Sequence, residues 1–250
     1  KGNPDGIKLS GVVDFTIEKF VIERWGAGGS GLDMGGCHNG AISGCEFRFR
    51  CDIFGNGVQT KGGSSDIAIR HCRFDNAGSR SVNIGGSTGS DYFRPSDATY
   101  EARRITVEDN TFIGSMSPIA FVGVDGANVR FNTIYRPTRW AVRILQESQG
   151  DRFVPCRNGV FANNLVVYRA AEVRSVVNVG GETAPETFQF SANHWYCEDE
   201  PQRSRPRDLP VSERNGIYGT PPRFRDAASA DLRFSEDSPV RNAGARHVRP

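Results

Sequence analysis

Two copies of one phrase decide the fold of this chain: ITVEDNTF (Ile105–Phe112) and ANVRFNTI (Ala127–Ile134). In each copy an apolar residue precedes a central asparagine by three positions, and another follows it by two. Five further copies keep this spacing, and the central residue in the seven copies is Phe20, Cys45, Cys72, Asn110, Asn132, Asn164 and Asn193. One copy cannot bury its own apolar side, so the repeat predicts a solenoid in which neighbouring copies stack.

A second phrase lies between the copies and ends in glycine, as in GLDMGG (Gly31–Gly36), GVQTKGG (Gly57–Gly63) and SVNIGG (Ser81–Gly86). Its alternation over three or four residues is typical of a short strand that ends in a turn. Two or more strands per repeat, without an amphipathic helix pattern, predict an all-β parallel β-helix of about seven coils. We expect the coils over residues 1–197, with residues 198–250 forming a wrapping segment and a C-terminal cap of the same domain.

The central residue has its own physical interpretation. Asparagines at one position of adjacent coils can stack their amides and bond the backbone of a buried turn. We therefore predict a ladder of Asn110, Asn132, Asn164 and Asn193. Cys45 and Cys72 take this position in two neighbouring repeats, where either a disulfide or two stacked thiols would fit. The six cysteines lack the CxxC spacing of structural zinc sites.

Composition excludes some classes of function. The net charge of +2, with 24% charged residues, gives no basic excess for nucleic acid. No apolar run approaches the length of a transmembrane helix. The chain begins at Lys1 without an initiator methionine and enters the first repeat almost at once, which leads us to expect a processed or trimmed product.

Two segments carry a resemblance to a known group of proteins. The N-x-F pattern of the ladder and the tail PPRFRDAASADLRFSEDSPVRNAG (Pro221–Gly244) resemble right-handed parallel β-helix repeat proteins of the pectate-lyase-like superfamily. The resemblance implies a single-stranded, right-handed β-helix and a secreted or periplasmic protein. It also implies one of several functions, since the superfamily contains polysaccharide lyases, glycoside hydrolases, epimerases and non-catalytic adhesins.

The second phrase also predicts a binding face. Its outward residues include Asp33, Gln59 and Asn83, and Lys61 stands alone in the next outward row. Glycines surround Lys61 and would leave a shallow floor, namely Gly35, Gly36, Gly62, Gly63, Gly85 and Gly86. An insertion that contains Tyr92 and Arg94 follows and would form a wall. A groove with polar side chains and an aromatic wall suits a polysaccharide, which needs stacking faces and hydrogen-bonding partners.

Lys61 is the strongest catalytic candidate. The stretch VQTKGGSSDIAIRHCRF (Val58–Phe74) is similar to the lysine-containing segment of alginate-lyase-type β-helices. That similarity implies a catalytic pair of Lys61 with an arginine of the next coil, which is Arg80 by a loose match. The lysine would remove the C5 proton of a uronate while the arginine neutralises its carboxylate. Arg94 is an alternative partner, and Arg143 would hold a neighbouring sugar.

Two classes of function therefore stay open. The first is a secreted polysaccharide lyase that acts on uronate-containing glycans, and the second is a non-catalytic carbohydrate-binding, adhesive or assembly protein. A glycoside hydrolase or an epimerase is less expected, because no two acidic residues share an outward strand. Calcium near Asp91 and Asp97 is a further option, although no ligand spacing supports it. We interpret His38, His71 and His194 as turn histidines rather than metal ligands.

Overall fold

The computed structural model describes residues 5–50, 55–240 and 242–247. In that part of the chain nearly all regular structure is β. The strands in chain order are β1 (Ile7–Ser10), β2 (Val13–Glu18), β3 (Val21–Glu23), β4 (Ser30–Gly35), β5 (His38–Ser43), β6 (Glu46–Arg50), β7 (Asn56–Lys61), β8 (Ser64–Arg70), β9 (Arg73–Ala77), β10 (Arg80–Gly85), β11 (Ala102–Glu108), β12 (Thr111–Ile113), β13 (Ser117–Val122), β14 (Val124–Arg130), β15 (Thr133–Tyr135), β16 (Val142–Leu145), β17 (Arg157–Ala162), β18 (Leu165–Tyr168), β19 (Val177–Val179), β20 (Gln189–Ser191), β21 (His194–Cys197), β22 (Ile217–Tyr218), β23 (Phe224–Asp226) and β24 (Asp231–Phe234). Short 3-10 helices span Ser90–Tyr92, Pro185–Thr187 and Pro201–Arg203.

Three parallel sheets organise the fold, and every third strand of the chain returns to the same sheet. The first sheet has the order β1-β4-β7-β10-β13-β16-β19, the second β2-β5-β8-β11-β14-β17-β20, and the third β22-β21-β18-β15-β12-β9-β6-β3. The second phrase of the repeat forms the first sheet, and the first phrase forms the other two. This confirms the all-β architecture of stacked parallel strands, which is consistent with a β-helix-like solenoid.

The chain bends sharply between the second and third sheets. The residue before each central position has a positive φ, which non-glycine residues seldom adopt. These seven corner residues are Lys19 (59°), Gly44 (61°), His71 (54°), Asp109 (57°), Phe131 (54°), Asn163 (54°) and Ala192 (53°). The bend divides the phrase into two strands, with the corner residue on the outward side. The central residue is buried in six copies, whereas Phe20 of the first copy is 54% exposed.

The predicted asparagine ladder is confirmed. All four asparagines are fully buried, and each side-chain oxygen accepts hydrogen bonds at the preceding level. Asn132 Oδ1 accepts from Asn110 N and Nδ2, both at 3.0 Å, and Asn164 Oδ1 accepts from Asn132 in the same way. The column therefore satisfies backbone groups that the buried bend would otherwise leave unpaired.

Both ends of the ladder are also bonded. At one end Asn110 Oδ1 accepts from Cys72 N at 2.9 Å. At the other end Glu213 Oε1 accepts from Asn193 N and Nδ2, at 3.1 and 2.8 Å, and so replaces a further asparagine. Glu213 Oε2 accepts from Trp195 Nε1 and the Tyr218 hydroxyl, both at 2.8 Å. The segment after residue 197 thus terminates the ladder with a carboxylate.

Cys45 and Cys72 continue the column as thiols. The Cys45 Sγ donates to the carbonyl of Ile17 at 3.6 Å, and the Cys72 Sγ donates to that of Arg70 at 3.2 Å. No disulfide joins them, so of the two arrangements that the sequence allowed the structure has the stacked thiols. Cys51 and residues 1–4, which belong to the predicted coils, lie outside the described residues, as do Arg241 and residues 248–250 of the predicted cap.

The C-terminal segment covers the third sheet. Strand β22 extends that sheet beside β21, and the antiparallel hairpin of β23 and β24 packs against its outer face. Leu232 of the hairpin is buried with Tyr135, Leu165 and Val167. Among the described residues, the structure has no helix of the length and apolar character that a membrane crossing requires.

Candidate functional site

Lys61 lies at the end of β7, on the outward side of the first sheet and beside Gly35 of β4. Its Nζ is 3.2 Å from Asp33 Oδ1, and Lys8 Nζ donates to Asp33 Oδ2 at 2.7 Å. The Asp33 side chain is only 4% exposed. The hydrogen bond from Lys8 to Asp33 raises the pKa of that lysine, against the opposing effect of its burial. Two ammonium groups therefore converge on one buried carboxylate.

The Asp33 carboxylate is committed to its two lysines. Its Oδ1 is buried and lies 3.2 Å from the Lys61 ammonium without an aligned hydrogen bond. This oxygen is therefore held by the ion pair and presents almost no accessible surface to a ligand. Lys8 contacts a second carboxylate, Asp5, at 3.2 Å, so the two lysines and two aspartates are balanced in charge.

A cleft of about 360 Å³ opens above this group, and we call it the Lys61 cleft. Its walls are formed by Lys8, Leu9, Ser10, Asp33, Gly35, Lys61, Ser87, Thr88, Gly89 and Tyr92. Gly35 forms its floor, because no atom lies within 4 Å of the position that a Cβ would take there. Tyr92 is 70% exposed on the opposite wall. The structure thus brings together Lys61, Asp33 and Tyr92 from the predicted site.

The insertion between β10 and β11, which contains Tyr92 and Arg94, is fixed next to Lys61 by Glu101, a residue that sequence reasoning missed. Glu101 is fully buried and accepts hydrogen bonds from Gly62 N at 2.8 Å and from Thr88 N and Oγ1 at 2.9 and 2.7 Å. Ser148 Oγ, from the loop between β16 and β17, donates to Oε1, which also accepts from Thr88 N. The carboxylate therefore ties both loops to the strand end that carries Lys61.

We expect Glu101→Gln to lower the free energy of unfolding by about 2 kcal/mol, because an amide nitrogen would face groups that donate to the carboxylate. Urea unfolding measures the difference. Glu108→Gln is the matched control, since Glu108 pairs with Arg70 and Arg130 at the surface and should cost under about 1 kcal/mol. Equal losses in the two variants would contradict the role given to Glu101.

The predicted glycine floor is smaller than expected. Of its six glycines only Gly35 faces open space. The insertion between β10 and β11 covers Gly36, Gly62 and Gly63, while the Val122 carbonyl lies against Gly85 and the Gln59 amide against Gly86. A Cβ at Gly36 would lie 2.5 Å from Arg94 Cβ, and one at Gly86 would lie 2.4 Å from Gln59 Nε2. The alternation of inward and outward residues along the second phrase identified which positions face outward. It contains no information on the path of the loop that follows.

Gln59 and Asn83 do not line the Lys61 cleft. They are 9% and 1% exposed, and both side-chain amides donate to the Gly85 carbonyl, at 3.4 and 3.3 Å. The chain turns after Gly85, which has a φ of 94°, and Gly86 lies against the Gln59 amide. These two side chains, which were predicted to bind a glycan, therefore satisfy the Gly85 carbonyl of the turn that covers them.

Arg80 lies at the opposite end of its strand from the cleft. The register sets Arg80 beside Asn56, five residues before Lys61, which is about 16 Å along a strand. Its guanidinium donates to Asn83 Oδ1 at 3.0 Å and pairs with Glu147 at 2.6 Å. The structure thus does not bring Arg80 and Lys61 together.

A backbone hydrogen bond holds Arg94 beside the residue that follows Lys61. Its backbone N donates to Gly62 O at 2.9 Å, and its aliphatic stem covers Gly36, the residue after the floor of the cleft. The side chain is exposed, and its Nη1 donates to the Phe93 carbonyl at 3.2 Å. Arg94 therefore stands at the margin of the Lys61 cleft.

Arg143 belongs to a second cluster on the same face, three strands from β7 and about 14 Å away. Its Nε donates to Asn178 Oδ1 at 3.0 Å, and its guanidinium lies 4.2 Å from the centre of the Trp140 ring. Arg139 lies 4.1 Å from that ring centre. Burial, with Arg80 nearby as a lesser cause, lowers the pKa of Arg143. Sequence reasoning missed Trp140, which occupies the corner before β16 rather than a strand.

Asp91 and Asp97, where calcium was an option, are both exposed. Within the described ranges, neither belongs to a group of three acidic, histidine or cysteine side chains with converging ligand atoms.

Comparison with protein-family models, with curated proteins and with solved structures finds no match for this chain.

Proposed function

We propose that this chain is a secreted or periplasmic, polysaccharide-active protein that cleaves uronate-containing glycans by β-elimination at the Lys61 cleft. The proposal includes the finer architecture. In it, residues 1–197 form a single-stranded, right-handed parallel β-helix of about seven coils, and residues 198–250 form its wrapping segment and C-terminal cap. In this view the chain is a member of the pectate-lyase-like superfamily.

The observation that carries the proposal is the content of the Lys61 cleft. Two lysines and an exposed tyrosine ring line a cavity of about 360 Å³, together with the hydroxyls of Ser10 and Thr88. A sugar ring offers an apolar face to the tyrosine and hydroxyls to Ser10 and Thr88, and a uronate adds an anion for the lysines. Ligand sites commonly combine apolar walls with a few fixed polar groups of this kind.

The reaction requires three tasks of the protein. A base takes the C5 proton of the uronate, the electron pair forms the C4–C5 double bond, and the C4–O glycosidic bond breaks as its oxygen gains a proton. We assign both proton transfers to Lys61 Nζ. Once its ammonium proton has passed to water, the neutral amine takes the C5 proton, and the ammonium formed in this way protonates the departing C4 oxygen.

Neutralisation of the uronate carboxylate is assigned to Arg94. Arg94 is anchored to Gly62 next to the cleft, whereas Glu147 holds Arg80 at the far end of the strand. Arg80 and Arg143 then bind a neighbouring part of the glycan, about 14 to 16 Å from Lys61 on the same face.

The test is incubation of the chain with a panel of polyuronates and, as controls, neutral glycans of matched length. Release of unsaturated uronates, followed by the ultraviolet absorbance of their conjugated double bond, supports the lyase. New reducing ends without unsaturation would overturn it in favour of a hydrolase. Neither cleavage nor retention on any glycan would overturn both the lyase and carbohydrate binding.

A non-catalytic carbohydrate-binding protein is the second candidate, and one observation favours it. Asp33 already pairs with Lys61 and Glu147 already pairs with Arg80, so each predicted catalytic cation has a carboxylate partner. A binding surface needs only the cleft and its cations. Retention on an acidic glycan without any product would select this candidate over the lyase.

A leucine at Gly35 should block the cleft without strain in the backbone. The φ of Gly35 is not in the left-handed region, and the space above it is open, so the new side chain would occupy the volume of the ligand. We expect glycan affinity to fall at least about tenfold, measured by affinity electrophoresis. Gly181→Leu is the matched control, because Gly181 also faces open space but lies beyond β19. Unchanged affinity in Gly35→Leu would exclude the Lys61 cleft as the binding site.

A further inference from the structure

Two chemically active corner residues lie next to each other on the side of the fold away from the Lys61 cleft. His71 follows β8 and Asp109 follows β11, and these strands are neighbours in the second sheet. Adjacent strands are about 4.8 Å apart. Because both residues occupy the outward corner position, with φ of 54° and 57°, their side chains leave the fold in the same direction.

The C-terminal residues run back along this corner and add a third group. Gly244 N donates to Asn163 O and Ala245 N to Thr133 Oγ1, both at 2.9 Å. The Arg246 guanidinium then lies 5.0 Å from the centre of the Phe131 ring. These contacts descend the corner level by level, and they lead the chain to Asp109.

The ring of His247 lies at this corner against the side chains of His71 and Asp109. Ligand atoms of His71, Asp109 and His247 all lie within 4.8 Å of one another. Asp109 Oδ2 is 3.4 Å from His71 Nε2 and forms a hydrogen bond with His247 Nδ1. The two imidazole centres are 4.5 Å apart. One carboxylate oxygen therefore faces two imidazole nitrogens.

The carboxylate is held in place from its other side. Asp109 Oδ1 accepts from the backbone N of His247 at 3.0 Å and also from the backbone N of Arg246. Its side chain is 9% exposed, whereas that of His247 is 68% exposed. Fixed outer contacts that orient a ligating carboxylate are a regular property of metal sites, and the exposed side would admit water as a further ligand.

We propose that His71, Asp109 and His247 form a binding site for a divalent first-row transition metal ion, with Zn²⁺ as the best match. Two imidazole nitrogens and one carboxylate oxygen suit Zn²⁺, whereas Ca²⁺ and Mg²⁺ prefer oxygen ligands alone. The bound ion would cross-link the C-terminal residues to the corner. No motif in the sequence predicted this site, because His247 lies 138 residues from Asp109.

The test is a Zn²⁺ titration of the untagged, chelator-treated chain against a chromophoric competitor. We expect one Zn²⁺ per chain, with the Kd raised at least about 100-fold in His71→Ala and in His247→Ala. Asp109→Asn should weaken binding as well, although its amide oxygen can still accept from the two backbone N–H groups. His38→Ala is the matched control, because His38 bonds Ser65 Oγ at 2.9 Å in another part of the second sheet.

Circular dichroism of each variant separates loss of a ligand from loss of the fold, and both histidines are exposed enough that the fold should persist. Equal Zn²⁺ affinity in the parent chain and in folded His71→Ala would overturn the proposal. Equal affinity of the parent for Ca²⁺ and Zn²⁺ would also overturn it, since the nitrogen ligands would then have no role. This result does not depend on the outcome for the Lys61 cleft.

Discussion

A Lys61→Ala variant should lose at least about a thousandfold in kcat/KM on any glycan that the parent chain cleaves, because the variant has no group to accept the C5 proton. The loss should appear in kcat, since binding is shared with Arg94, Lys8 and Tyr92. The measurement is the initial rate of formation of unsaturated uronate over a range of glycan concentrations.

The fold should survive this substitution. The Lys61 side chain points outward and is 24% exposed, and Asp33 keeps Lys8 as a partner at 2.7 Å when Lys61 is removed. Lys19→Ala is the matched control, since Lys19 is an exposed lysine at the corner between the second and third sheets. Full activity of Lys61→Ala would exclude this residue from the chemistry and direct attention to the acidic side chains.

The repeat predicted the fold well because it is a local pattern. Central residues at a fixed offset from two apolar positions predicted the column that contains Asn110 and Asn132, and every level of it is hydrogen-bonded as expected. The division of the first phrase into two strands was not predicted. It depends on positive φ at residues such as Phe131 and Ala192, whose side chains give no local sign of that conformation.

The candidate site was only partly predictable, because some of its contacts join residues that are far apart in the sequence. Lys61, Asp33 and Tyr92 come together because strand register and one nearby insertion place them, and both features are visible in the sequence. Glu101 is buried where it contacts Ser148 of the loop between β16 and β17. Gln59 is buried where its side chain bonds the Gly85 carbonyl at the following turn. Contacts of this range depend on the path of loops, for which alternation and spacing have no signal.

The largest loss of stability is expected within the ladder, where Asn132→Ala should lower the free energy of unfolding by about 3 kcal/mol. The substitution removes the acceptor of Asn110 N and Nδ2, and it removes the donor to the Val107 carbonyl at 2.9 Å. All of these groups are buried, so water cannot replace the lost bonds without opening the bend between the second and third sheets. A small cavity adds to the cost.

Urea unfolding of Asn132→Ala beside Asn128→Ala measures this effect. Asn128 lies four residues away on the outward side of β14 and is exposed, so its replacement should change stability by under about 0.5 kcal/mol. Asn132→Asp refines the comparison, because it keeps the acceptor but loses the donor and brings a charge into the column. If Asn132→Ala were as stable as Asn128→Ala, the bend would be held by the packing of its apolar neighbours alone. A marked loss in Asn132→Ala beside an unchanged Asn128→Ala would instead show that the Asn132 amide holds the bend, as expected for a group bonded both to the next level of the column and to the backbone.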